Sequence, residues 1–82
     1  MNNTNTTCKF CNDIVQIISD DITIANDSIA LVTQIVNASC VLLPLGTQKT
    51  ECMFILSSIS KIASWIAQGL LPTAICQKLG LC

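Results

Sequence analysis

The chain has 82 residues with four lysines, no arginine or histidine, and a formal net charge of −1 at pH 7. Its length allows one domain, and so few basic residues argue against a nucleic-acid partner. Without a histidine or a glycine-rich phosphate loop the sequence offers no catalytic site and no cofactor-binding motif, so we expect a protein that is not an enzyme.

The amino-terminal stretch MNNTNTT is polar throughout. It predicts a disordered lead over residues 1–7, followed by one domain over residues 8–82. From Cys8 to Ile22 apolar residues recur at steps of three and four, which predicts a first helix with one buried face. The stretch TIANDS then interrupts the pattern, and Asn26, Asp27 or Ser28 can cap the next helix.

The second predicted helix runs to about Leu43 and stops before Pro44. Its first apolar stripe consists of Ile29, Val32, Val36, Cys40 and Leu43. An adjoining stripe consists of Leu31, Ile35 and Leu42. An apolar surface this wide exceeds what one core contact needs, so the adjoining stripe predicts contact with lipid, and ordinary core packing is the alternative.

A third helix is predicted to start near Thr50. Gly69 suits the position just after its end. Its core stripe consists of Cys52, Ile55, Leu56, Ile59, Ile62, Ala63 and Ile66. Another face carries Phe54, Ser58, Lys61, Trp65 and Gln68. Two aromatic rings beside a lysine suit a bilayer interface, where the rings lie at headgroup depth and Lys61 contacts phosphate. The alternative is that Trp65 covers the edge of the core or contacts another helix.

The final stretch PTAICQKLGLC predicts a short last helix, because Pro72 suits its first turn and Gly80 suits its end. No hairpin signal and no sustained period of two occur, so no strand is expected. The sequence therefore predicts an all-α domain, a compact bundle of four to five amphipathic helices.

Six cysteines in a chain this short indicate disulfides and an oxidising compartment. A metal site is the weaker alternative, because Cys8 and Cys11 have C-x2-C spacing but no second such pair completes a zinc site. Two cysteines begin the first helix and two bracket the end of the last, so two bridges tie the chain ends if these helices lie side by side. Cys40 and Cys52 flank the turn around Pro44 and would close a hairpin, which we expect to lie far from the tied ends and to be freer to swing.

The spacing C-x2-C, C-x11-C and C-x5-C, with a proline four residues before the fifth cysteine, strongly resembles the saposin-like family from Cys8 to Cys82. The resemblance implies a fold stapled by three disulfides that pair the first cysteine with the sixth, the second with the fifth and the third with the fourth. Carried onto this chain, the bridges are Cys8–Cys82, Cys11–Cys76 and Cys40–Cys52. In that family the helices fold like a clasp, and opening the clasp exposes an inner apolar face to lipid.

Within the family, the stretch AICQKLGLC looks most like the carboxyl end of the amoebapores, which are pore-forming peptides. The shared features are the Ala-Ile-Cys step and a lysine two residues after the cysteine. One amoebapore has a histidine two residues before its last cysteine, tied to acid-dependent dimerisation. This chain has Gly80 there, so that switch does not transfer.

Carboxylates offer another route to acid activation. Protonating all five would change the formal net charge from −1 to +4. Asp20 and Asp21 fall in the predicted last turn of the first helix, where negative charge is unfavourable, so they are candidate pH sensors. We expect membrane activity to rise below about pH 5. The alternative is an ordinary solvated acidic face.

The expected function is that of an amoebapore-like antimicrobial peptide that binds and permeabilises bilayers, without catalytic or metal-binding residues. Its expected partners are membrane phospholipids, including anionic lipids of bacteria, and further copies of the chain on the membrane. One alternative is a saposin-type protein that extracts lipids and presents them to a hydrolase. Another is a non-catalytic segment of a larger enzyme precursor.

The expected location is outside the cell or in a lysosomal or phagosomal granule, after removal of a signal peptide that this sequence does not contain. Asn26 and Asn37 begin glycosylation sequons and support this location mildly.

Overall fold

The structure is a computed structural model that describes the backbone of residues 3–82 and the side chains of residues 6–82. Over these residues the chain forms five helices and no strand. The helices are α1 (Asn3–Thr23), α2 (Ile29–Val41), α3 (Thr47–Ser57), α4 (Ile59–Ala67) and α5 (Pro72–Lys78). The predicted all-α class is confirmed.

The first helix begins earlier than the sequence indicates. Residues 3–7 are helical, where the sequence predicted a disordered lead over 1–7, and Met1 and Asn2 lie outside the described residues. Adding a residue to an existing helix costs less free energy than starting a new helix. Once tertiary contacts fix the part of α1 that packs on the core, the helix can therefore extend into the polar residues 3–7, which have no apolar face of their own.

The second helix begins at the predicted cap. The Ser28 side-chain oxygen accepts a hydrogen bond from the backbone N–H of Leu31 at 3.1 Å. Of the three candidates, Ser28 is therefore the N-cap, whereas Asn26 lies in the preceding loop with a φ of 57°. The helix ends at Val41, ahead of Pro44.

The third predicted helix is two helices. Ser58 separates α3 from α4, with a φ of −104° and a ψ of 13°. The Ser57 hydroxyl donates to the carbonyl oxygen of Phe54 at 2.7 Å, and the Ser58 N–H donates to the carbonyl oxygen of Ile55 at 3.0 Å. The Ser57 hydroxyl thus takes the Phe54 carbonyl group that the Ser58 N–H would use in an uninterrupted helix, and the Ser58 N–H bonds three residues back instead.

A glycine follows the end of α4 and another follows the end of α5, as the sequence predicts. Gly69 and Gly80 have φ values of 91° and 81°. Beyond each glycine the chain bonds back onto its helix, with the Leu70 N–H donating to the carbonyl oxygen of Trp65 at 3.0 Å and the Leu81 N–H donating to that of Cys76 at 2.9 Å. Gly80 turns the chain so that its last residues lie against α1.

The three predicted disulfides are confirmed as Cys8–Cys82, Cys11–Cys76 and Cys40–Cys52. The first two, which we call the chain-end clamp, hold the start of α1 against α5. A polar contact reinforces the clamp, because the Thr73 hydroxyl donates to the Asn12 side-chain oxygen at 3.0 Å.

The core lies between α1 and the other four helices. The first helix packs against each of them. Its fully buried members, apart from the cysteines, are Val15, Ile18, Val32, Ile55, Ile62 and Ile75. The stripes predicted for α2 and the third helix supply three of these six residues, Val32, Ile55 and Ile62.

The turn between α2 and α3 lies beside the chain-end clamp. Gly46 of this turn and Thr47 at the start of α3 line one surface cavity together with Thr7 of α1 and Leu81 after α5. The chain therefore runs away from the clamp along α1 and returns to it along α2. The turn around Pro44, expected to lie far from the tied ends, is their neighbour.

Candidate functional site

Most of the large apolar side chains that are exposed among residues 6–82 belong to one segment. We call α2, the turn and α3, residues 29–57, the apolar hairpin. Eight of these eleven side chains belong to it, and they are Ile29, Leu31, Ile35, Val41, Leu42, Leu45, Met53 and Phe54. Leu42 and Leu45 are the most exposed, at 84% and 91%. Such a concentration marks an interaction surface, whereas apolar residues scattered singly would not.

The apolar hairpin carries almost no charge at its surface. Lys49 and Glu51 are its only charged residues, and Glu51 is buried with 6% of its surface exposed. Lys49 is half-buried. A surface without an exposed carboxylate enters an apolar phase at low electrostatic cost, since Lys49 is the one charged group on it that would have to be desolvated.

The lipid-contact stripe predicted on α2 lies on the outside of the helix. Leu31 and Ile35 are 43% and 38% exposed, and Leu42 follows at the helix end. Val32 and Val36 face the core. The predicted stripe is therefore accessible in the closed structure without any opening of the fold, and its contact with lipid stays a prediction.

The face predicted on the third helix is divided by the break at Ser58. Phe54 lies on α3, 44% exposed, and lines the cavity beside the clamp. Lys61 and Trp65 lie on α4, where Lys61 is exposed and Trp65 is half-buried against the core. The Lys78 ammonium group of α5, rather than that of Lys61, lies over the Trp65 ring, 5.8 Å from its centre. Trp65 thus packs at the edge of the core with part of its ring exposed, and its contact with lipid, like that of Phe54 and Lys61, stays a prediction.

The two candidate pH sensors lie in the last turn of α1 and differ in their surroundings. The exposed Asp20 carboxylate accepts a hydrogen bond from the Gln16 side chain at 2.9 Å. Asp21 is half-buried, and its Oδ2 has no hydrogen-bond partner. Their role in sensing pH stays a prediction.

Glu51 is the residue that sequence reasoning missed. It lies on α3 between the core and the cavity, and burial raises its pKa from 4.5 to about 7. Its Oε2 is buried without a hydrogen-bond partner. The available signal was its position, next to Cys52 and four residues before Ile55, which are both fully buried.

Both candidate glycosylation residues are accessible. Asn26 is exposed in the α1–α2 loop, and Asn37 is exposed on α2. Whether either carries a glycan stays a prediction.

Two further structural findings bear on the chemistry. None of the helices described here has the length and apolar character needed to cross a bilayer. Within residues 3–82, no three side chains of the usual metal-ligating types come together.

Residues 53–82 match the family model Saposin-like type B, region 2. The matched segment begins on α3 and includes the Ser58 break, α4, α5 and the clamp cysteines Cys76 and Cys82. No curated protein gave a significant match. No solved structure did so either. The match covers 30 of the 82 residues, and the five helices and three disulfides agree with the fold that the resemblance to the saposin-like family implies.

Proposed function

We propose that this protein binds lipid bilayers through the apolar hairpin and permeabilises them in the manner of the amoebapores. Saposin-like domains interact with lipids, so the match over residues 53–82 supports lipid as the general class of partner. The observation that carries the finer proposal is the exposed, almost uncharged surface of residues 29–57 in the closed fold.

The first step is attachment. Leu42 and Leu45 stand out at the turn, with Val41 beside them on the end of α2. Burying one such side chain in hydrocarbon contributes about 2 kcal/mol, so three or four of them suffice for a bilayer interaction that needs no charge attraction. The formal net charge of −1 agrees with an apolar mode of attachment.

The second step is disruption, which in this proposal requires several copies. A single chain offers no spanning helix among those described, so permeabilisation depends on association of apolar hairpins in the membrane plane. Two interruptions allow the hairpin to change its angle to the rest of the fold: the α1–α2 loop and the break at Ser58. The clamp keeps α1 and α5 together during this change.

Acid favours this activity in our proposal. Protonation of the carboxylates raises the net charge and improves attraction to anionic lipid. Asp20 and Asp21 are the proposed sensors at the end of α1, beside the loop that leads into the hairpin. Three disulfides support a location in an oxidising compartment, so we propose secretion or delivery to a lysosomal or phagosomal granule.

The test is release of a trapped dye from phosphatidylglycerol/phosphatidylcholine vesicles at pH 4, 5, 6 and 7, with no enzyme present. Release that rises with acidity and with the second or higher power of protein concentration supports a multimeric, acid-favoured pore. Intact vesicles together with soluble protein–lipid particles in gel filtration would favour the alternative, a saposin-type carrier that presents lipid to a hydrolase. Release that is flat from pH 7 to pH 4 would remove the acid step.

A further inference from the structure

The cavity between the α2–α3 turn and the chain-end clamp has features that the membrane proposal does not use. Its volume is about 720 Å³, within the range of small-molecule sites. Three chain segments meet there, represented by Thr7 of α1, Phe54 of α3 and Leu81 after α5. The pocket therefore exists only in the closed fold, because opening the hairpin would separate its walls.

One wall of the cavity carries a carboxyl group without a partner. Glu51 is 6% exposed, and no hydrogen bond or ion pair to its side chain exists among residues 6–82. Lys9 pairs with Asp13 at 3.5 Å, and Lys78 lies over Trp65. A buried carboxyl group left in this state is costly, and a donor supplied from outside would remove that cost.

The rest of the lining is apolar or neutral. Phe54, Leu79 and Leu81 provide apolar walls, and the remaining residues are a glycine and threonines. No residue lining the cavity from α1, the turn or the end of α5 has a titratable side chain, and Lys49, two positions before Glu51, does not line it. The arrangement combines one buried acid with an apolar chamber.

From this geometry we infer that the cavity is a binding site for a primary ammonium group attached to a hydrocarbon chain. The ammonium donates hydrogen bonds to Glu51, and the chain fills the space against Phe54, Leu79 and Leu81. An ammonium fits better than the other head groups, because a carboxylate or phosphate would place like charge beside Glu51 and an alcohol would leave an ionised Glu51 uncompensated. The site shares Phe54 with the exposed surface of the apolar hairpin, but its carboxyl group and its walls from α1 and the end of α5 play no part in the proposed membrane activity, so the inference goes beyond that activity.

The binding test uses soluble probes of equal chain length, with no vesicles present. Titration calorimetry at pH 8 compares n-octylammonium, 1-octanol and octanoate. We expect octylammonium to bind at least about tenfold more tightly than octanol, and octanoate to bind most weakly. At pH 5.5, where Glu51 holds its proton, the preference for octylammonium shrinks. Equal affinities of octylammonium and octanol at pH 8 would overturn the inference.

Matched variants locate the site. Glu51→Gln keeps the shape of the side chain and removes its charge, so it should abolish the preference for octylammonium while leaving octanol binding within about twofold. Asp13→Asn removes the same formal charge from an exposed position outside the cavity and should change neither affinity. Loss of preference in both variants would show general electrostatics and contradict a site at Glu51. Circular dichroism confirms that each variant is folded.

Two sources of the ammonium group are distinguished by short-chain lipids. Dihexanoylphosphatidylethanolamine offers N–H donors, whereas dihexanoylphosphatidylcholine has none on its quaternary nitrogen. Glu51-dependent binding of the first and not the second assigns the site to a lipid head group. Glu51-dependent binding of octylammonium alone assigns it to a free amine. Both results support the site. Octylammonium binding that is unchanged in Glu51→Gln contradicts it, whatever the vesicle assay shows.

Discussion

The Lys78 ammonium group lies 5.8 Å from the centre of the Trp65 ring, so a cation of α5 covers the single tryptophan of the chain on α4. This contact joins the last two helices at the surface and restrains a side chain that the sequence suggested for the bilayer interface. Because the cation beside the Trp65 ring is known to be Lys78, a change in Trp65 fluorescence can be related to this contact.

Removing the cation should expose the ring with little effect on stability. In Lys78→Gln we expect stronger acrylamide quenching of Trp65 and a loss of at most about 1 kcal/mol in the free energy of unfolding, because cation–π contacts at exposed sites are weak. Lys61→Gln removes the same charge from α4 without a contact to the ring and serves as the control. Equal quenching in the two variants would contradict the contact. An emission spectrum of the unmodified protein that does not change on adding vesicles would exclude Trp65 from the membrane site.

The Glu51 carboxyl group should make the closed fold more stable in acid. Its pKa is raised by burial from 4.5 to about 7, so between these values the folded protein holds a proton that the unfolded chain has released. The free energy of unfolding therefore falls as the pH rises through this window and is constant above it, with a total loss of up to about 3 kcal/mol.

Denaturant midpoints at pH 4.5, 5.5, 6.5, 7.5 and 8.5 measure this dependence. Glu51→Gln should flatten the decline, whereas Asp13→Asn should keep it. A decline of the same size in both variants would place its origin elsewhere. The sign also constrains the membrane mechanism, because acid strengthens closure at Glu51. Acid activation must then act through other carboxylates, or through entry of the closed protein into the bilayer with the Glu51 carboxyl group uncharged.

The turn leucine should matter for vesicle leakage more than an equally exposed residue elsewhere. Leu42→Ser removes an apolar side chain that is 84% exposed on the apolar hairpin, and Ile24→Ser removes one that is 79% exposed in the α1–α2 loop. Neither buries much surface in the fold, so both should keep the unfolding free energy within about 0.5 kcal/mol.

Leakage should separate the two variants. Because burial of a leucine in lipid contributes about 2 kcal/mol per chain, Leu42→Ser should need at least about tenfold more protein for half-maximal dye release. Ile24→Ser should behave as the unmodified protein does. Equal potency of the two variants would remove the turn from the membrane surface.

The contributions of the two clamp disulfides to the free energy of unfolding should not be additive. Cys11–Cys76 already closes 65 residues, so adding Cys8–Cys82 closes only the short segments outside it. In the chain-entropy model, serine substitution of either pair alone should cost about 2.5 kcal/mol, and substitution of both about 7 kcal/mol. Denaturant unfolding of the two double variants and the quadruple variant checks this difference. Simple additivity would show that each bridge acts on its own.

Local signals in the sequence predicted the local structure well. The Ser28 cap, Pro72 at the start of α5 and the turn at Gly80 each depend on neighbours within four residues, which the sequence displays directly. The disulfide pairing came from the family resemblance rather than from spacing alone. The break at Ser58 was missed because Ile55, Ile59 and Ile62 continue the apolar period across it.

The site was harder to predict, since it depends on elements meeting in space. The sequence assigned no role to Glu51, because its burial requires the starts of α1 and α3 and the end of α5 to converge. For Trp65 the sequence left both the bilayer interface and the core edge open, because the position of the last helix, which holds Lys78 over the ring, is not readable from the pattern. The exposed stripe on α2 was visible in the sequence, since α2 contains no charged residue.

The chain-end clamp has a consequence for survival among proteases. Between Cys11 and Cys76, a single cut in the backbone leaves two fragments that the clamp still joins covalently. If the cut falls in the exposed turn around Pro44, the Cys40–Cys52 disulfide is a third covalent link between the two fragments. One cleavage therefore yields a nicked molecule with its helices still assembled, and loss of a piece requires at least two cuts or a reducing agent. Such a molecule is suited to surroundings in which hydrolases are abundant and thiols are scarce.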